Sequence, residues 1–189
     1  MTRNWRDLTY LRNGTAKQQA AARAIEQSAV LQRLQAFDPV LAGTIPLDID
    51  IGDSDLDIVC ECYDLELFAE IARSFYADCE EYQEARMPVQ AVPTCLVSFF
   101  AHGFWFELFA QPRPVEQQNA YRHMIIEHRL LQLAGPKARQ HIRQLKQNGL
   151  KTEPAFASYF HIPGADPYQA LLALEPWTDD QLLDLIVGR

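Results

Sequence analysis

Asp55 and Asp57 are two carboxylates one residue apart, set in the segment GTIPLDIDIGDSDLDIVCE that runs from Gly43 to Glu61. Residues 56–62 (LDIVCEC) are strand formers in alternation. A strand there puts Asp55, Asp57 and Val59 on one face and Leu56, Ile58 and Cys60 on the other. Two carboxylates pointing the same way can share Mg²⁺ or Mn²⁺, hard cations that take oxygen ligands and bridge carboxylates to substrate phosphates. Upstream lies Gly43-Thr44. Glycine lets a backbone approach a phosphate closely, and the adjacent hydroxyl can bond a phosphate oxygen. Gly43, Thr44 and Ser54 are therefore read as the groups that position a triphosphate, and Asp55 and Asp57 as its metal ligands.

This pattern, a Gly-Thr loop followed at a set interval by Asp-x-Asp on the next strand, resembles the DNA polymerase β-like nucleotidyltransferase superfamily. The resemblance implies a third carboxylate from a neighbouring strand. Glu107 in FWFELF fits, because it alternates with Trp105 and Phe109 in an otherwise apolar strand. Metal ligation or activation of an attacking hydroxyl would account for an acid among aromatics. More narrowly, the chain resembles the DUF4269 family of small bacterial proteins over nearly its whole length. The resemblance rests on the Gly43 segment, the ELF strand, QQNAYRHMIIEHRLL, GLKTEPAFASYF and DPYQALLAL. One departure is visible: many members of the wider superfamily carry Arg-Gly in the middle of the loop, where this chain has Leu47-Asp48.

Other residues have two readings. Arg122 and His123 lie on an expected helix with Glu127 one turn beyond, either as surface pairs or as cleft-facing ligands of substrate phosphate. Lys146 and Lys151 either neutralise triphosphate charge or complement a helix dipole. Tyr159, Phe160 and Tyr168 either pack in a core or stack on a base. Asp48, Asp50 and Asp53 read as solvated loop acids. Basic residues gather in the stretch 137–151, and acids between 48 and 84. That asymmetry predicts a cleft with one metal-binding wall and one anion-binding wall.

The elements that must position these residues follow from pattern. Residues 17–37 read as an amphipathic helix, and 40–42 as a short buried strand ending at Gly43. Asp64 caps a helix to about Tyr76 whose apolar stripe is Leu67, Phe68, Ile71 and Phe75. Residues 82–92 carry no clear signal. Residues 94–100 and 104–109 form a hairpin turning at His102-Gly103. Helices are expected over 115–133, 136–148, 167–174 and 178–187, and KTEPAFASYFHIPGADPY is expected to hold a loop with a short helix.

At 189 residues, 48% of them apolar, the chain can bury one full core. The expectation is a single α/β (α+β) domain over 1–189, with a small mixed sheet flanked by helices as a nucleotidyltransferase-like core over about 15–112. A C-terminal helical section over about 113–189 forms the other wall of the cleft. No apolar run is long enough to cross a bilayer and no leader is visible, so a soluble cytoplasmic protein without a membrane partner is expected. Four cysteines without paired CxxC spacing read as reduced core thiols. The formal charge of −8 argues against a protein that coats nucleic acid. The resulting expectation is a Mg²⁺- or Mn²⁺-dependent nucleotidyltransferase. It would move a nucleoside monophosphate from an NTP to a hydroxyl on an acceptor, a small molecule or protein rather than nucleic acid. The alternative is a non-catalytic nucleotide sensor or toxin-neutralising partner with the same fold.

Overall fold

The structure, a computed structural model, describes residues 3–52 and 54–188. Asp53, among the expected loop acids, therefore lies outside the described residues. The chain divides into two compact units: residues 1–46 with 54–118, and residues 47–53 with 119–189.

The first unit is built on five strands: β1 (Val40–Ala42), β2 (Leu56–Glu61), β3 (Glu80–Val89), β4 (Val92–Ala101) and β5 (Phe104–Gln111). They form one sheet in the order β1-β2-β5-β4-β3. Only the β2–β5 pair is parallel; the other three are antiparallel. Its helices are α1 (Thr9–Arg12), α2 (Ala16–Ser28), α3 (Val30–Arg33) and α4 (Leu65–Tyr76). Period-two alternation sends Leu56, Ile58 and Cys60, with Phe106, Leu108, Val97 and Phe99, into one core. Tyr76 stacks on Phe99 at 4.4 Å and Phe99 on Phe106 at 5.0 Å, and the Tyr76 hydroxyl donates to the Ser28 carbonyl. The opposite sheet face carries Asp57, Glu107, Trp105 and Phe100, none of them fully buried.

Several expected elements are broken for identifiable reasons. The helix over 17–37 is three pieces, because Ala29 takes a left-handed φ of 54° and Gln35–Phe37 tightens into a 3-10 turn. Thr15 starts α2 with a reciprocal capping box to Gln18. Asp64 caps α4 as expected, accepting from the Leu67 amide. The buried stripe of α4 is rotated, however: Phe68, Ala69, Ala72 and Tyr76 face inward, while Leu67 and Phe75 are exposed. Small alanines let the helix backbone approach the sheet, which larger side chains would hold off. The unassigned stretch 82–92 holds most of β3, which turns through Gln90 and Ala91, both at positive φ, into β4 at Val92. The His102-Gly103 turn has φ of 52° and 80°, the two-residue geometry that matches strand twist.

The second unit is helical: α5 (Asn119–Ala134), α6 (Pro136–Gln147), α7 (Thr152–Phe160), α8 (Pro167–Leu172) and α9 (Asp179–Val187). The expected helix over 115–133 starts late. Val115–Gln117 is a 3-10 turn, and Gln118 is extended, its buried amide donating to the carbonyls of Cys60 at 2.8 Å and Arg113 at 3.1 Å. Gly135 and Gly149, both at positive φ, bracket α6. Phe156 and Phe160 stack in the core, and Tyr159 packs on His141 and Phe160. All four cysteines are free thiols. No helix among the described residues is long and apolar enough to cross a membrane.

Candidate active site

Parallel pairing of β2 with β5 sets Asp57 level with Glu107, and Leu56 level with Phe106. Asp55 immediately precedes β2, one residue before that last pair. Asp55 is exposed, whereas Asp57 and Glu107 are half-buried. The Glu107 carboxyl is pushed above the usual carboxylate range, first by burial and then by the negative charge of Asp55. A half-buried carboxyl beside a second acid favours either a proton or a cation at that spot.

β1 ends where this site begins. Ala42 pairs with Asp57, and Gly43 follows with φ of 77°. A Cβ at Gly43 would overlap Asp57 Oδ2 and lie 3.0 Å from its Cγ. Glycine is thus required twice, for the left-handed backbone and for the space that the carboxylate occupies. Beyond it, Thr44 Oγ1 and Ser54 Oγ are 3.3 Å apart, so two hydroxyls predicted to meet phosphate stand together. Gln18, buried at the start of α2, donates to the Ile45 carbonyl at 2.9 Å and steadies the backbone there. Gly43, Thr44, Ser54, Asp55, Asp57 and Glu107 are therefore one constellation in the first unit.

Among the described residues, no three His, Cys, Asp or Glu side chains form a ready-made metal cage. The donor set still suits Mg²⁺, which keeps water and phosphate ligands and is commonly held through one or two carboxylates. The raised Glu107 carboxyl, with the charge of Asp55 acting on it, is the observation that bears on a cation at this spot.

The remaining predicted residues lie in the second unit. Arg122 forks onto Glu175 and bonds Asn119 Oδ1 at 3.2 Å. His123 is buried, with Nδ1 3.3 Å from Glu153 and Nε2 3.0 Å from the Tyr168 carbonyl. The His123 and Glu127 spacing does not make a surface pair, since both side chains are buried. Lys151 is exposed at the N-cap of α7, so a helix C-terminal dipole does not explain it.

The basic stretch is largely committed elsewhere than to an anion wall. Arg139 Nε donates to the Leu47 carbonyl at 3.2 Å, Arg143 to the Asp48 carbonyl at 2.6 Å, and Lys146 Nζ to the Ile49 carbonyl at 3.0 Å. Arg143 also pairs with the Asp48 carboxylate at 2.6 Å, so Asp48 is an ion-pair partner rather than a solvated acid. Asp48 has φ of 56°, the left-handed region that suits glycine, and Leu47 is buried. Three cations thus grip three consecutive carbonyls, an arrangement that the spacing of 139, 143 and 146 along one helix face could have flagged.

A family model described as "Domain of unknown function (DUF4269)" matches residues 23–174. A search of curated proteins finds no match to the chain. Among solved structures, the chain is similar to the Cid1 poly(U) polymerase bound to MgATP, at 12% identity and a TM-score of 0.51 over 81% of this chain and 47% of that one. It is similar to the polymerase core of TRAMP, an RNA surveillance complex, at 13% identity and a TM-score of 0.50 over 93% of this chain and 58% of that one. For the GLD-2/RNP-8 complex the figures are 12% and 0.52, over 96% and 81%. The chain spans about half the length of the Cid1 structure. At these identities the likeness is one of fold: a mixed sheet flanked by helices, arranged as in nucleotidyltransferase polymerase cores.

Proposed function

The chain belongs to the DUF4269 family, and from that premise we propose that it is a divalent-metal-dependent nucleotidyltransferase. The observation that carries the reading is the level pairing of Asp57 with Glu107 across β2 and β5, closed on its other side by Gly43. That a poly(U) polymerase bound to MgATP shares the fold supports the choice of an NTP as donor. Asp55 and Asp57 would hold Mg²⁺ or Mn²⁺ on the triphosphate, and Glu107 would complete the set. The bound cation would supply positive charge where negative charge develops on the phosphoryl oxygens.

The protein's own groups have distinct tasks in this reading. Gly43 lets the backbone come close to phosphate, and the Thr44 and Ser54 hydroxyls orient its oxygens. Glu107 accepts the proton of the acceptor hydroxyl. The acceptor oxygen forms a bond to the α-phosphorus as the bond from that phosphorus to the bridging oxygen breaks, and pyrophosphate leaves. Arg122 and His123 serve indirectly, by holding α5 to Glu175, Glu153 and the Tyr168 carbonyl, and Lys151 is the one exposed cation of the predicted nucleotide-binding set.

The test is turnover of labelled NTPs by purified protein with Mg²⁺ or Mn²⁺, read as pyrophosphate release across hydroxyl acceptors. Wild type should release pyrophosphate and Asp57→Asn should lose at least about 10²-fold, the scale of removing an electrostatic stabiliser of a transition state. Nucleotide binding without any pyrophosphate from wild type would defeat the enzymatic reading.

A further inference from the structure

Trp105 occupies a specific place on the face that carries the acids. It precedes Glu107 by two residues on β5, which puts both side chains on one face about 7 Å apart along the strand. Its neighbour Phe106 is level with Leu56, the residue that follows Asp55. Trp105 is 39% exposed, whereas its flanking residues Phe104 and Phe106 are buried. Phe100, its partner across β4, packs against the indole at 5.8 Å and 64°. The indole is therefore held beside the acids by a second aromatic ring while keeping open surface.

We propose that Trp105 is the stacking wall for the acceptor, which is a small molecule with a planar ring close to its reactive hydroxyl, as in a nucleoside. This rests on the nucleotidyltransferase reading above. Trp105 shares its strand with Glu107, the group assigned to the acceptor hydroxyl, and so lies on the acceptor side of the acids. A sugar bridging hydroxyl and base spans a two-residue step along a strand, so the hydroxyl meets Glu107 when the base meets the indole. Stacking on an aromatic side chain needs only a π-face, and it tolerates acidic surroundings that repel an acceptor carrying its own phosphates. A free nucleoside therefore suits this wall better than the end of a nucleic acid, in a chain whose formal charge is −8.

Indole fluorescence tests this directly. Adenosine titrated into wild type should quench it saturably, ribose should not, and Trp105→Phe should abolish the change while Trp177→Phe keeps it. Quenching should persist when a non-hydrolysable NTP and Mg²⁺ are already present. In turnover, Trp105→Ala should raise the nucleoside KM about 10- to 100-fold and leave the NTP KM within about twofold. Loss of the adenosine signal on adding the NTP analogue would assign the wall to the donor base and overturn the proposal. So would quenching by hexaadenylate but not adenosine, or no Trp105-dependent quenching at all. Absence of any Mg²⁺-dependent thermal shift with NTP would instead sink the nucleotidyltransferase reading, and adenosine quenching is measured without NTP.

Discussion

Gly43 and Asp57 share one volume: the space that a side chain at position 43 would need is filled by the Asp57 carboxylate. Gly43→Ala therefore has two costs. The backbone keeps φ of 77°, which alanine disfavours by about 1 kcal/mol, and the new methyl displaces Asp57. The expected outcome is a modest loss of thermal stability with a drop in kcat/KM of about 10²-fold or more, comparable with Asp57→Asn. Measuring both on one preparation separates the effects. Full activity in Gly43→Ala would show that Asp57 does not need its observed position.

Glu107→Gln separates binding from turnover. Asp55 and Asp57 remain to hold the metal and triphosphate, so the Mg²⁺-dependent thermal shift with NTP should survive. Proton acceptance is lost, and pyrophosphate release should fall about 10²- to 10⁴-fold, the usual contribution of a general base. The amide avoids placing a charge in a half-buried site, so the melting temperature without ligand should not fall. Equal loss of NTP binding and turnover would move Glu107 from acceptor activation to donor binding.

How much of this was legible in the sequence depends on the range of the interaction. The alternation in LDIVCEC is local, and β2 follows from it, although the strand starts at Leu56 and leaves Asp55 just before it. The Gly43–Asp57 fit depends on the β1–β2 register, which pairs Ala42 with Asp57 and has no local sign beyond the glycine. β3 was hidden because Gln90 and Ala91 make its turn in place of Asn-Gly, and because Pro88 and Pro93 interrupt the strand pattern. Hydrophobicity alone selects Leu67 and Phe75 for the buried side of α4, while closeness of approach selects Ala69 and Ala72. Arg139, Arg143 and Lys146 were visible as a basic run, but their backbone-carbonyl partners lie more than 90 positions away in sequence.

Those three cations fasten residues 47–49, within the loop whose ends lead into Thr44 and Ser54. Lys146 is buried, and removing it leaves the Ile49 carbonyl without that donor. Lys146→Met should cost about 1–3 kcal/mol of stability. Amide exchange over residues 47–52 should accelerate at least about tenfold, with little change over β4 and β5. Arg143→Ala should act in the same direction but more weakly, since its pair with Asp48 is about one-third exposed. Unchanged exchange over the loop in both variants would show that the clamp does not set its order.

Glu127 should make stability fall as pH rises. Its side chain is buried on α5, Oε1 has no hydrogen-bond partner, and its carboxyl is held well above the usual range. Burial is the main cause; Glu153 raises it further and Lys146 opposes the rise. Because the folded state holds this proton more tightly than the unfolded chain, Glu127 favours folding most while both states are protonated. That advantage is lost as pH passes through the ordinary carboxylate value toward the raised folded one. Glu127→Gln removes this dependence. The variant should be more stable than wild type at pH 8, because the amide has no proton to hold, with the difference shrinking toward pH 4. Chemical denaturation at both pH values measures it. A gain that stays constant across the range would mean that Glu127 does not titrate with folding, and a loss at pH 8 would mean that its charge is needed by Lys146.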